Sequence, residues 1–266
     1  SQADLLIFGM GERALLEVAA DLQQGVEIGN IQDVQGTCYR VPNLDYVWDY
    51  LPLPAYAEVT KDKRKFAEAF KLEYLEQDAI RGRKLAQQND EWCVVQNPPA
   101  RPLSEDQMDE IYDLPYQRTW HPIYDKDGGI PAIQEVQFSL VSQRGCFGGC
   151  NFCAIISHEG RIIQRRSQTS LLREAKILTQ MPGFKGYIHD VGGPTANFRR
   201  TSCDGQLERG TCRGKQCLSP IPCQNLTADH SDYIRLLRRL RALPGVKKVF
   251  VRSGVRFDYL LLAKDE

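Results

Sequence analysis

Cys146, Cys150 and Cys153 stand at positions i, i+4 and i+7, with Gly145, Gly148 and Gly149 around them and Phe152 just ahead of the last. Thiolates are soft ligands and suit iron–sulfur clusters or zinc. Three close thiolates can hold three irons of a [4Fe–4S] cube and leave the fourth iron without a protein ligand. That open iron is a chemical site, because something else must bind it. The glycines allow a tight loop, since they reach positive φ and let backbone N–H groups approach sulfur. Zinc wants four ligands, usually in CxxC pairs, and no second pair accompanies this loop. Spacing, glycines and aromatic together favour the cluster over zinc or three ordinary buried cysteines.

A second group, Cys203, Cys212, Cys217 and Cys223, lies in a stretch rich in Arg, Gly and Pro between Gly193 and Ser231. Ordinary βα loops run about 2–6 residues, so a loop this long calls for a function. It has no apolar period, which argues against core filler. Its cysteine gaps match no familiar zinc knuckle. We expect an auxiliary [4Fe–4S] cluster or a structural zinc here, the cluster slightly favoured over zinc and metal favoured over free thiols. Such a cluster could relay electrons or bind substrate. Cys38 and Cys93 stand alone and read as small buried residues. His158, just past the first group, could orient substrate or simply face water. Arg252 and Arg256 could meet an anionic group or form structural ion pairs.

The elements that must position these residues are legible from periodicity. Leu5-Leu6-Ile7-Phe8 predicts a buried strand, followed by a helix from Ala14 to Leu22 that stops at Gly25. This βα unit looks like the last repeat of a Rossmann-like domain. Gly9-x-Gly11 lacks the full GxGxxG and reads as a tight turn. Ile31 to Val41 predicts a strand or hairpin, Lys63 to Gln88 a charged helical stretch, and Trp92 to Val95 a strand. Asn97 to Pro102 is a stiff connector, and Ser104 with Gln107 makes a capping box. Beyond it, Glu135–Ser142, Gly186–Val191 and Lys247–Arg252 read as strands. Between them lie helices starting near Ser167 and Ser231. That βαβαβ order implies a parallel sheet with right-handed crossovers, and in such folds active sites collect at the C-terminal strand ends. The cysteine loop sits there.

The CxxxCxxC pattern with Phe152 resembles the radical SAM superfamily. Asn97-Pro98-Pro99, Leu114-Pro115-Tyr116, His121-Pro122, His158-Glu159-Gly160-Arg161, Gly192-Gly193-Pro194-Thr195-Ala196-Asn197 and Ser253-Gly254-Val255-Arg256 resemble its YgiQ family, from near residue 5 to the end. The resemblance implies S-adenosylmethionine (SAM) bound on the open iron, an external electron donor, and radical chemistry on a substrate it does not name. It implies that Gly192 and Gly193 receive the amino end of SAM through backbone groups, with Pro194 in place of the family's acid. Phe152 joins them as a cofactor-side residue. The expected fold is α/β: residues 1–100 the end of a Rossmann-like N-terminal domain with a helical connector, and residues 101–266 the first half of a radical SAM (β/α) barrel, truncated, with a Cys-rich insertion at 197–228. The chain opens at Ser1 in a strand-entering segment and stops at Glu266 without a closing helix, so we expect a fragment of a longer protein.

Composition narrows the rest. Of 266 residues, 42% are hydrophobic, enough for a real core. Lys+Arg and Asp+Glu are both 34, so net charge gives no argument for nucleic acid or membrane. No apolar run approaches the roughly 20 residues of a membrane helix. Grouped cysteines without a secretory signal point to metal binding in a reducing compartment, the cytoplasm. The alternative to SAM chemistry is an iron–sulfur or zinc-binding module for electron transfer or interaction.

Overall fold

In a computed structural model, which describes residues 3–263, the chain divides into two units. The first comprises Ser1–Pro102 with two later returns of chain, Cys150–Arg161 and Asp204–Lys215. The second comprises Leu103–Gly149, Ile162–Cys203 and Gln216–Glu266.

In the first unit, β1 (Leu5–Ile7), β2 (Thr37–Val41), β3 (Tyr50–Pro52), β4 (Lys84–Asn89) and β5 (Trp92–Gln96) form one sheet in the order β1-β2-β5-β4-β3. Only β3–β4 is parallel; β1–β2, β2–β5 and β4–β5 are antiparallel. This corrects the Rossmann-like expectation, which requires parallel strands joined by crossovers. The apolar run at Leu5–Ile7 and the helix Glu12–Gln23 do form, but the chain then returns against β1 rather than alongside it. As an edge strand, β1 leaves Leu6 45% and Ile7 38% exposed, not buried. The helix packs Ala14 and Val18 on Ile31 and Val34. The charged stretch is helical only over Lys63–Glu76, where Asp62 Oδ1 caps Arg64 N at 2.7 Å. Residues 77–83 then turn, and from Lys84 the chain becomes β4, turned into β5 through Asp90 at φ +52°.

The second unit holds β6 (Ser139–Val141), β7 (Gln143–Arg144), β8 (Gln164–Arg165), β9 (Tyr187–Ile188), β10 (Asp190–Gly192) and β11 (Lys248–Val249). β6 pairs parallel with β10, and β9 parallel with β11. His189, between β9 and β10, donates its N–H to Phe138 O at 2.8 Å, so the ladder to the β6 side continues past the break. The strand expected from Glu135 starts only at Ser139, because Ile133–Val136 forms a helical turn. Helix Gln168–Gln180, capped by Ser167 Oγ on Ser170 N, buries Leu171, Ala175 and Leu178. Helix Ser231–Arg241 buries Tyr233, Leu236 and Leu240. These side chains meet Leu140, Ile188 and Val191 of the strands in one core, each fully buried aliphatic side chain contributing about 1.5–3 kcal/mol. Tyr233 Oη ties the second helix to the sheet by donating to Val191 O at 2.7 Å. Ser104 and Gln107 form the expected capping box at the start of helix Glu105–Tyr112. No helix among the described residues is long and apolar enough to cross a membrane.

Candidate functional site

The antiparallel β7–β8 ladder pairs Gln143 with Arg165 and Arg144 with Gln164, and so brackets the cysteine loop at its base. Within the second unit the loop is anchored by Phe147, which is fully buried. Its ring stacks on Phe198 at a centroid distance of 3.8 Å and meets the edge of Tyr259 at 5.5 Å. Cys146 and Cys217 both pack against this aromatic cluster. Gly148 N donates to Cys146 Sγ at 3.4 Å. A Cβ added at Gly148 would lie 2.8 Å from Arg256 Nη1 and 3.3 Å from Cys146 Sγ. Both distances run from one point, so guanidinium and sulfur sit within about 6 Å of each other. The bare backbone of Gly148 is what admits the arginine. Gly149, at φ +65°, likewise leaves room for the amide of Gln216.

Arg256 is placed by Asn197, whose Oδ1 accepts Arg256 N at 2.9 Å and whose Nδ2 donates to Arg256 O at 3.2 Å. The guanidinium also pairs with Asp258, whose carboxyl is held below its usual range first by that hydrogen bond. The sequence reading offered Arg256 as one of two arginines for an anion and missed Asn197 as its holder. The signal was present, since both residues fall in the stretches that resemble the YgiQ family.

The other expected residues are placed as follows. Cys150 and Cys153 belong to the first unit, where Cys153 N donates to Cys150 O at 3.1 Å in a tight turn. All three thiols of the motif are half-buried, and none is in a disulfide. Phe152 is 92% exposed. Cys212 is exposed and lies in the first unit; Cys203, Cys217 and Cys223 are half-buried in the second, with Cys223 N donating to Cys217 O at 2.9 Å. Among the described residues, no three His, Cys, Asp or Glu side chains are gathered as a metal group. Ligand assembly at a site of this kind is coupled to the metal itself. The donor set fits a soft-metal cluster: three thiols on one loop, none in a disulfide, a backbone N–H on one sulfur, and a nearby cation.

Gly192 is buried and Gly193 half-buried. A Cβ at Gly192 would run into Ser253 Oγ, and one at Gly193 into Gln143 O. The protein's own atoms therefore require these glycines. Ser253 Oγ and N, with Arg252 N, all donate to Asp190 Oδ1, which closes this strand end. Arg252 makes an exposed ion pair with Glu135 at 2.9 Å. His158 is exposed at the end of a single helical turn. Cys93 is buried and donates to Gln88 Oε1 at 3.0 Å; Cys38 is half-buried, and burial pushes its thiol up to about 11.

A family model described as Radical SAM N-terminal matches residues 1–139. A UPF0313 protein of Clostridium botulinum (strain ATCC 19397 / Type A) is 54% identical over 266 residues, all of this chain and 41% of the relative. A UPF0313 protein of Clostridium perfringens (strain 13 / Type A) is 53% identical over 267 residues, again all of this chain and 40% of the relative. The chain belongs to the radical SAM superfamily and, within it, to the UPF0313 (YgiQ-like) family. It spans about 41% of the length of these curated relatives.

Proposed function

We propose that this chain is the cluster-bearing part of a radical SAM enzyme, with its parallel strands forming the first half of a (β/α) barrel. Cys146, Cys150 and Cys153 would hold a [4Fe–4S] cluster and leave one iron for SAM. When bound, such a cluster supplies the electron that cleaves SAM to methionine and a 5′-deoxyadenosyl radical, which takes hydrogen from a substrate. The protein's share is position and charge. Gly148 N and the guanidinium of Arg256 stabilise sulfur charge at Cys146. The Gly192–Gly193 turn offers backbone groups to the amino end of SAM, and Phe152 lies exposed on the loop as a cofactor-side aromatic. An external donor delivers the electron, in a reducing cytoplasm.

The observation that carries this reading is the set of three half-buried thiols at CxxxCxxC spacing on one glycine-rich loop, in a chain of this family. Cys203, Cys212, Cys217 and Cys223 remain candidates for an auxiliary cluster or zinc. Cys217 packs against the same aromatic cluster as Cys146, which favours Cys217 as a companion of the first site. Anaerobic reconstitution of the intact protein, followed by reduction in the presence of SAM, tests the assignment. We expect bound iron and sulfide, SAM-dependent 5′-deoxyadenosine, and loss of both signals of the first cluster in Cys150→Ser. Zinc in place of iron, or deoxyadenosine formation untouched by Cys150→Ser, would sink it and leave an electron-transfer or interaction module.

A further inference from the structure

Asp190 is a carboxylate held by neutral groups alone. Its Oδ1 accepts from Arg252 N at 2.8 Å, Ser253 N at 3.2 Å and Ser253 Oγ at 3.1 Å. Among the described residues no cationic side chain pairs with it, and the guanidinium of Arg252 is taken up by Glu135 Oε2 at 2.9 Å. A carboxylate offers about four acceptor sites on two oxygens. Here one oxygen carries all three bonds, so the second is left for a donor from outside. The strand fixes the direction. Successive residues of β10 alternate, so Asp190 and Gly192 share one face and Val191 takes the other. Val191 belongs to the core beneath the two helices. Asp190 and Gly192 therefore lie on the opposite face, level with Ser139 and Val141 of β6. That face is open: Asp190 is half-buried and Val141 is 42% exposed. Ser253 Oγ, which donates to Asp190, also fills the space over Gly192, where a Cβ would run into it. Just beyond, Ala196 N donates to Gly254 O at 2.9 Å and fixes this segment. One hydroxyl thus joins the carboxylate to the glycine turn, at the C-terminal ends of parallel strands, where ligands of α/β folds collect.

We propose that Asp190 is the ammonium-binding carboxylate of this strand end: its open oxygen receives the α-ammonium of SAM, and Ser253 holds the carboxylate in place. The inference rests on the radical SAM reading above and deepens it. With Ser253 Oγ over Gly192, the turn can offer a cation only the partial charges of backbone groups, and Pro194 adds none. Asp190 supplies a full counter-charge on the same face, and a charge-assisted hydrogen bond is about twice as strong as a neutral one. All of these residues lie in the second unit.

The test is calorimetric titration of the intact, reconstituted protein with SAM, anaerobically and without reductant. Asp190→Asn keeps an oxygen for the three donors, so its melting temperature should stay close to the wild type's, while SAM should bind about tenfold or more weakly. Decarboxylated SAM keeps the ammonium and should weaken as much. 5′-Methylthioadenosine has no ammonium and should bind both proteins equally. Ser253→Ala leaves the charge but removes one of its holders, and should cost SAM affinity less than Asp190→Asn does. Equal SAM affinity in wild type and Asp190→Asn overturns the proposal. So does an equal loss for methylthioadenosine, which would make Asp190 a strut of the strand end and no more. A wild-type protein that takes up iron yet binds no SAM removes the radical reading and the proposal with it. Deoxyadenosine formation on reduction, with SAM affinity unchanged in Asp190→Asn, removes the proposal alone.

Discussion

The cysteine-rich insertion is held by two kinds of physics, one on each half. Residues 204–215, in the first unit, are held by buried carboxylates: Asp78 grips Thr211, and Glu76 grips Arg213. From Gln216 onward, in the second unit, the chain is held by apolar packing, with Leu218 and Cys217 against Phe147, Phe198 and Tyr259. The difference is one of conditions. Burial raises the carboxyls of Asp78 and Glu76, but the hydrogen bonds they accept and the arginines beside Glu76 outweigh it, and both are held below the ordinary range. Carboxyls shifted down contribute fully above their unfolded pKa, and the contribution is lost as pH falls through the lowered folded value. The aromatic seat of Phe147, Phe198 and Tyr259 holds by ring packing rather than by the charge of a carboxylate. A stretch without apolar periodicity is thus fixed at one end by charge and at the other by shape.

The largest expected effect breaks the apolar half. Phe147→Ala removes a fully buried, stacked ring, which costs about 3–5 kcal/mol of stability. Denaturant titrations at neutral pH and near pH 4.5 should give the same loss. A cost that changed strongly between them would erase the distinction between the halves. Asp78→Asn attacks the polar half. It removes the charge from four accepted hydrogen bonds at a site only 5% exposed, and about 2 kcal/mol of stability should go with it. Here the difference between variant and wild type should hold steady above the carboxylate range and shrink as acid protonates the wild-type side chain. A constant difference down to strong acid would mean that shape, not charge, holds residues 204–215.

Local sequence made the capping box at Ser104 and Gln107, the Ser167 cap and the strand–helix alternation of the second unit legible, because each is written within a few residues; the short ladder Gln143–Arg144 with Gln164–Arg165 was not. The strand Lys84–Asn89 was not legible. Lys, Leu, Ala and Gln are good helix formers, and only pairing with Trp92–Gln96 makes this stretch a strand. The Rossmann-like reading failed for a related reason: Leu5–Ile7 carries no mark of the direction in which its neighbour runs. The grip of Asp78 on Thr211 spans 133 positions and has no local trace at all. At the candidate site, the three thiols were plain from spacing. The arginine that reaches them through Asn197 was not, since its partners lie about 60 and 110 residues away in sequence.

That arginine gives the smallest effect and the sharpest test, because it bears on the sulfur through its charge. With a cluster reconstituted on the intact protein, the cation near Cys146 should favour the reduced, more negative state. Arg256→Gln should therefore make the midpoint potential more negative. Asp258 offsets part of the charge and the side chain is one-quarter exposed, so the shift should be on the order of tens of millivolts rather than hundreds. The backbone N–H and carbonyl that Asn197 holds survive the substitution, so loop position and iron content should not change. Gly148→Ala approaches the same point from the other side. Its methyl meets the flexible end of Arg256, which can yield, and the guanidinium moves away from sulfur. A smaller shift of the same sign should follow. If both variants keep their iron and neither potential moves, the cation does not act on the sulfur, and the second unit holds the cysteine loop by aromatic packing alone.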